Sequence, residues 1–173
     1  WLSVFGGSAW TWHPETGQYY LHRFLKEQPD LNWRNPEVVE AMHQVLRFWL
    51  DLGVDGFRID APLSLMRDPL FRDNPLAPVD AQDIHRRVNN REYDSQIHIH
   101  DLEHPDLHGV FRGMRQVLDE YEPPGSRVTI AEVEPLPWDE WVQYYGDDRN
   151  EIQIPFNFEL LETAWNPAAL KKV

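Results

Sequence analysis

The sequence predicts an α/β fold built on a parallel sheet, and three observations carry that prediction. Val54-Asp55-Gly56-Phe57-Arg58-Ile59-Asp60 reads as one short strand, and Arg127-Val128-Thr129-Ile130-Ala131-Glu132-Val133 as a second, rich in β-branched residues. A helical pattern runs directly into each, and a helix, strand, helix, strand order implies parallel pairing. Pro62 stops further ladder pairing after the first strand. Asp60 therefore stands near the carboxyl end of its strand, where α/β barrels carry their catalytic groups.

Composition narrows the function classes. A chain of 173 residues with 42% hydrophobic content, eight Trp and eight Phe is long and apolar enough to form a globular core. Its 16 Lys and Arg against 29 Asp and Glu give a net charge of −13, a field that repels nucleic acid and anionic membranes and suits a neutral substrate. Cysteine is absent, which excludes disulfides, thiolate metal sites and a Cys nucleophile. No apolar run approaches the ~20 residues of a membrane span, and the first residues lack the basic start of a signal peptide. The expected location is cytoplasmic. The chain begins at Trp1 without Met, compatible with processing or with a piece of something longer.

In order, Phe5-Gly6-Gly7-Ser8-Ala9-Trp10-Thr11-Trp12, followed by Pro14, Gly17 and Tyr19-Tyr20, reads as loops and short strands. Flat rings beside hydrogen-bonding groups suit a sugar, which has apolar faces and a polar edge; such clusters equally form small packing cores. Asn35-Pro36 starts the first helix, with Asn as N-cap and Pro at the first helical position. Val38, Met42, Val45, Leu46 and Trp49 recur at spacings of three and four and make its apolar face, and Gly53 ends it. From Pro62 to His104 the pattern weakens, with Pro69, Pro75, Pro78, Arg86-Arg87 and Asn89-Asn90. A loop this long is usually functional or disordered, and one leaving the Asp60 strand is placed to wall a substrate site. Pro105 opens a second helix with a stripe of Leu107, Val110, Phe111, Met114, Leu118 and Tyr121, broken by Pro123-Pro124-Gly125. After a loop with Trp138 and Trp141, Ile152-Gln153-Ile154-Pro155-Phe156-Asn157-Phe158 offers a third strand on weaker evidence.

Two constellations carry possible chemistry. Asp60 and Glu132 occupy equivalent ends of successive parallel strands, and glycosidic cleavage needs such a pair: one attacks the anomeric carbon or activates water, the other protonates the leaving oxygen. Residues alternate faces along a strand, so Arg58 points the same way as Asp60 and keeps it ionised, whereas Glu132, between Ala131 and Val133, is expected in an apolar surround that holds it protonated. The alternative is a structural Arg58–Asp60 ion pair at a sheet end. The second constellation, His98, His100 and His104 with Asp101, has the residue types for a divalent ion; alternating His with Ile equally describes an extended segment with a solvated face.

These residues also carry a resemblance. Asp55-Gly56-Phe57-Arg58-Ile59-Asp60-Ala61 resembles the arginine-and-nucleophile motif on the fourth barrel strand of the α-amylase superfamily, and Thr129-Ile130-Ala131-Glu132 its general-acid motif on the fifth, with Ala131 where members usually have Gly. Tyr19-Tyr20-Leu21-His22, Gln28-Pro29-Asp30-Leu31-Asn32-Trp33 and Asn35-Pro36 resemble the stretch before the fourth strand in α-glucosidases and oligo-1,6-glucosidases, and Pro155-Phe156-Asn157-Phe158 their sixth-strand region.

The resemblance implies a partial (β/α)8 TIM barrel, about strands four to six with their helices, plus part of an inserted loop subdomain. Residues 1–34 would end that subdomain and 35–173 belong to the barrel. It implies a retaining mechanism with Asp60 as nucleophile, Glu132 as acid/base and Arg58 orienting Asp60, no cofactor or metal, and a small oligosaccharide as partner. Ala61 resembles the choice of α-1,4-acting members, where α-1,6-acting ones usually have Val, which points to a maltase-type α-glucosidase. Oligo-1,6-glucosidase, trehalose synthase and sucrose-isomerising relatives are alternatives. The early-strand Asp and His motif and the seventh-strand His and Asp motif have no counterpart, so the chain reads as an internal piece, expected to be inactive alone. Two readings of other classes stay open: a non-catalytic α-glucosidase-like binding or transport subunit, and a metal-dependent hydrolase using His98, His100 and His104.

Overall fold

The computed structural model describes residues 1–78, 92–133 and 136–171; Arg86-Arg87, Asn89-Asn90 and Lys172-Val173 lie outside the described residues. Length alone suggested one core. The chain instead packs as two compact units, Trp1–Val38 with Leu63–Leu107, and Val39–Pro62 with His108–Val173.

In the first unit, β1 (Trp10–His13) and β2 (Gln18–Leu21) form an antiparallel hairpin with Trp10 opposite Leu21 and His13 opposite Gln18. Gly17, at φ 64°, supplies the left-handed residue of its turn. The described residues after Leu63 pack against the segments flanking this hairpin rather than trailing as an open loop, because they find partners there. Trp1 Nε1 donates to the Arg72 carbonyl at 2.8 Å, Gly7 N to Glu92 Oε2 at 3.1 Å, and Arg67 closes on Asp30 at 2.8 Å. The N-terminal rings serve the packing alternative in part: Trp10 stands 6.0 Å from Trp1 and 5.6 Å from Phe71.

The second unit carries the parallel sheet. Helix α1 spans Pro36–Asp51, and its residues from Val39 onward belong here. Asn35 Oδ1 accepts the Glu37 N–H at 3.0 Å, as its capping role requires, and Gly53 at φ 94° ends the helix with its N–H on the Leu50 carbonyl. Strand β3 (Gly56–Ile59), helix α2 (Leu107–Asp119), strand β4 (Val128–Ala131) and strand β5 (Ile154–Pro155) follow, with short helices α3 (Trp138–Trp141), α4 (Phe158–Glu162) and α5 (Pro167–Leu170). The sheet order is β3-β4-β5, with both pairs parallel. The third strand contributes only two ladder residues.

The core of this unit joins Leu50, Val117 and Leu118 with Leu46, Val54, Phe57 and Tyr121. The α2 stripe is as the spacing indicates, extended by Val117. The α1 face is not. Leu50 is buried at 3%, while Val45 and Trp49 are 45% and 47% exposed. Apolar residues ring the last two turns of α1, so spacing alone does not single out the side that meets the sheet. At Gly56 the strands come so close that a Cβ would stand 2.2 Å from the Val128 carbonyl oxygen, so only glycine fits. Among the described residues no helix is long and apolar enough to cross a membrane.

Candidate active site

The parallel register sets Ile59 beside Ala131, so Asp60 and Glu132 each follow the last residue of adjacent strands. The ladder runs one bond further, from Glu132 N to the Ile59 carbonyl at 3.1 Å. Both chains then turn. Val133 N folds back onto the Ala131 carbonyl at 2.9 Å, a three-residue turn centred on Glu132. On β3, Ala61 takes a left-handed conformation at φ 41° just ahead of the buried Pro62. The two carboxylates thus stand at the carboxyl mouth of the sheet.

Arg58 joins them. Its Nη1 bonds Asp60 Oδ1, and its Nη2 donates to Glu132 Oε2 at 2.8 Å. Alternation along β3 accounts for the first contact, and the register for the second. Glu132 Oε2 also accepts the Ala61 main-chain N–H at 3.4 Å. The cluster is open: the side chains of Asp60, Arg58 and Glu132 are 74%, 47% and 33% exposed. One expectation is corrected here. Glu132 does not sit in an apolar surround. Ala131 and Val133 are buried on the other side of the strand, and the Glu132 carboxylate lies on a guanidinium that it shares with Asp60.

The chain just past β5 is tied to the same strand ends, and α3 is tied to it in turn. Phe156 N donates to the Ala131 carbonyl at 2.9 Å, and Trp141 Nε1 to the Phe156 carbonyl at 3.0 Å. Trp138, half exposed, packs edge-on against Trp141 at 5.0 Å. Nothing in local spacing announces these bonds, because they depend on how β5 is placed beside β4.

The histidine constellation does not assemble. His98 is 1% exposed and stacks on Tyr93 at 3.8 Å, with Nδ1 bonded to Asp101 at 3.0 Å and Nε2 to the Tyr93 carbonyl at 3.0 Å. Both its ring nitrogens are thereby engaged. His104 Nδ1 takes the Asp106 N–H at 3.2 Å, and His100 is held through its main-chain N–H by Asn74 Oδ1 at 3.0 Å. Among the described residues no group of three or more His, Asp or Glu is placed to hold a metal ion. The metal-hydrolase reading is overturned because the segment is not a strand, so its alternation does not aim these rings at one point. Burial pushes the Asp101 carboxyl up, but its hydrogen bond to His98 and the charges around it outweigh that and hold it below the usual carboxylate value.

Comparison with known proteins gives one consistent picture. The description "Alpha amylase, catalytic domain" matches residues 1–172. The salivary alpha-glucosidase of Aedes aegypti is 41% identical over 170 residues, covering 93% of this chain and 28% of that protein. The alpha-glucosidase of Apis mellifera is 42% identical over 162 residues, covering 94% of this chain and 26% of that protein. Among solved structures, an alpha-glucosyl transfer enzyme, XgtA, superposes with a TM-score of 0.85 at 36% identity, covering 99% of this chain and 31% of that one. The trehalose-6-phosphate hydrolase of Bacillus licheniformis does so with 0.74 at 28% identity, covering 96% and 26%. The chain spans about a quarter of the length of the curated relatives it matches.

Proposed function

The chain belongs to the alpha-amylase catalytic-domain family, a TIM-barrel fold, and from that premise we propose that it forms part of an α-glucosidase-type glycoside hydrolase. In this reading residues 35–173 supply about strands four to six of the barrel with their helices, and residues 1–34 end an inserted subdomain. The substrate is a short, neutral maltose-type oligosaccharide cleaved at a terminal α-1,4 bond.

The observation that carries the reading is the single guanidinium bonded to two carboxylates at the mouth of adjacent parallel strands. In the retaining scheme the Asp60 carboxylate attacks the anomeric carbon, the glycosidic C–O bond breaks, and Glu132 gives its proton to the departing oxygen. Water then attacks the glycosyl-enzyme, Glu132 takes the proton back, and Asp60 is released. Arg58, bonded to both acids in the free site, holds them in register with each other. Its flat fork suits that double contact, which a lysine ammonium does not reproduce.

The substrate class rests on the relatives named alpha-glucosidase and maltase, on the resemblance carried by Ala61, and on the net charge of −13, which favours a neutral sugar over the phosphorylated one in the name of the hydrolase neighbour. The neighbour named isomaltulose synthase marks the sucrose-isomerising alternative. Presence of both acids speaks against a purely binding subunit. A cytoplasmic location belongs to the same proposal, and the salivary relative marks the contrary outcome that cell fractionation would reveal. The test of the roles is a pair of variants in a full-length barrel carrying this stretch. Asp60→Asn should lose turnover of every substrate, whereas Glu132→Gln should lose maltose but keep the first step on aryl glucosides whose leaving group needs no proton. Equal losses in the Glu132 variant reject the acid role.

A further inference from the structure

Packing uses only part of the aromatic surface of the first unit. There Trp10, Tyr19, Trp33 and Phe71, with the amides of Gln18 and Asn32, line a cavity of about 600 Å³. That volume lies within the range of small-molecule sites, roughly 300–1,000 Å³. Tyr19 and Phe71 are 63% and 61% exposed beside it. Trp33 is 6% exposed, yet its indole N–H has no acceptor among the described residues, whereas a buried indole N–H ordinarily finds one. The wall thus offers flat rings and an unused donor.

The charges of the same wall are already matched. Arg34 Nη1 donates to Asp106 Oδ2 at 2.7 Å, Arg67 Nη2 stands 2.8 Å from Asp30 Oδ2, and Arg72 Nε donates to Asp68 Oδ2 at 2.9 Å. Asp30 Oδ2 also accepts the Arg23 main-chain N–H at 2.7 Å. A charged ligand entering here has to displace one of these partners, whereas an uncharged one does not. Rings for apolar C–H faces, amide and indole N–H groups for a polar edge, and matched charges are what a neutral saccharide requires. We propose that this cavity is a second sugar site, which binds a short neutral oligosaccharide. Arg58, Asp60 and Glu132 are not among its lining residues, and its chemistry is read from its own wall rather than from the roles given to those three.

The experiment is a calorimetric titration of maltotriose into a full-length barrel that carries this stretch and Asp60→Asn, in which no turnover is expected, with melting curves to confirm folding. Two sites should appear. Tyr19→Ala removes an exposed ring, and Trp33→Phe keeps a ring but removes the N–H. Each should weaken the same one of the two sites by roughly three- to tenfold, the scale of a lost aromatic contact or neutral hydrogen bond. Arg58→Ala should act on the other, and glucose 6-phosphate should not bind at the Tyr19-sensitive site. Maltotriose binding indifferent to both Tyr19→Ala and Trp33→Phe overturns the proposal. So does a single site weakened by Tyr19→Ala and by Arg58→Ala alike, which makes the cavity part of the catalytic pocket. Glucose 6-phosphate bound at the Tyr19-sensitive site overturns the neutral ligand class. A Tyr19-sensitive site without any Arg58-sensitive one upholds the cavity and counts instead against the α-glucosidase reading.

Discussion

In the first unit Asp101 and His98 are 6% and 1% exposed, and each is bonded within its own neighbourhood; in the second, Arg58 is half exposed and holds two carboxylates at the edge of solvent. The same residue types do different things in these two settings. A buried pair must recover the cost of leaving water through every available hydrogen bond, so His98 uses both ring nitrogens and has no further valence for a ligand. An exposed pair recovers little and loses little on rearrangement, typically about 0.2–1 kcal/mol. The Arg58 cluster can exchange its bonds for bonds to a substrate at small cost. Openness and shared partners, rather than the presence of ionisable residues, separate the candidate site from the scaffold.

The largest break in that contrast is expected at Arg58. Arg58→Lys should cut turnover by about 10²-fold or more, since one ammonium cannot serve two carboxylates as a fixed fork does. It should leave the melting temperature nearly unchanged, because surface substitutions usually stay within about 0.5 kcal/mol. Steady-state kinetics beside thermal melts check both halves, and a large fall in stability would place Arg58 with the scaffold.

Gly56→Ala should follow. The added methyl meets the Val128 carbonyl at 2.2 Å, a main-chain atom that cannot swing aside. Overpacking of this kind costs about 1–3 kcal/mol, and by parting β3 from β4 it also moves Arg58 away from Glu132. Stability and activity should fall together. An unperturbed melt would contradict the close approach of the two strands.

Asp101→Ala should destabilise by about 1–3 kcal/mol, the usual cost of stranding a buried polar partner, and should affect maltose and aryl glucoside turnover alike. Any discrimination between those substrates would show that the buried pair has a catalytic task.

The smallest expected effect is a difference in pH dependence. Burial, with Arg47 nearby and against the opposing pull of Glu40 and Glu120, holds His43 in the second unit below its ordinary value of 6.5. A depressed folded pKa means that the unfolded chain takes up the proton first, so the stability from a neutral His43 is complete above pH 6.5 and is lost as pH falls through the folded value. In the first unit Asp101 is held below 3.8, by His98 and Asn74 against the effect of its burial, and Asp68 likewise by Arg72. Their contributions are complete above that value and are lost only at stronger acidity. Thermal melts from pH 8 to 3 should show a weak upper step that His43→Gln removes. A step unchanged in that variant would assign it to another group.

How much of this was legible depended on range. The caps of α1, the stripe of α2 and the alternation that aligns Arg58 with Asp60 are local patterns, and the chain writes them out. The buried face of α1 is not written in its spacing, because Val45, Phe48, Trp49 and Leu50 are all apolar and only tertiary packing turns Leu50 inward. His98 and His100 alternate with isoleucines as in a strand, yet among the described residues nearby strand pairing is limited to an isolated bridge between Leu76 and Gln96. The environment of Glu132 could not be read from its neighbours Ala131 and Val133, because register brings Arg58 and Ala61 to it from another strand.

In the proposed reaction Asp60 and Glu132 divide the work, one as nucleophile and the other as acid/base. The most direct measurement is mass spectrometry of peptides from a full-length barrel trapped with a slow-turnover fluoroglycoside. A hexose-derived adduct is expected on the peptide containing Asp60, with its loss in Asp60→Asn and slower decay of the adduct in Glu132→Gln. An adduct on Glu132, or turnover of the trapping reagent with the adduct on neither residue, would contradict that division.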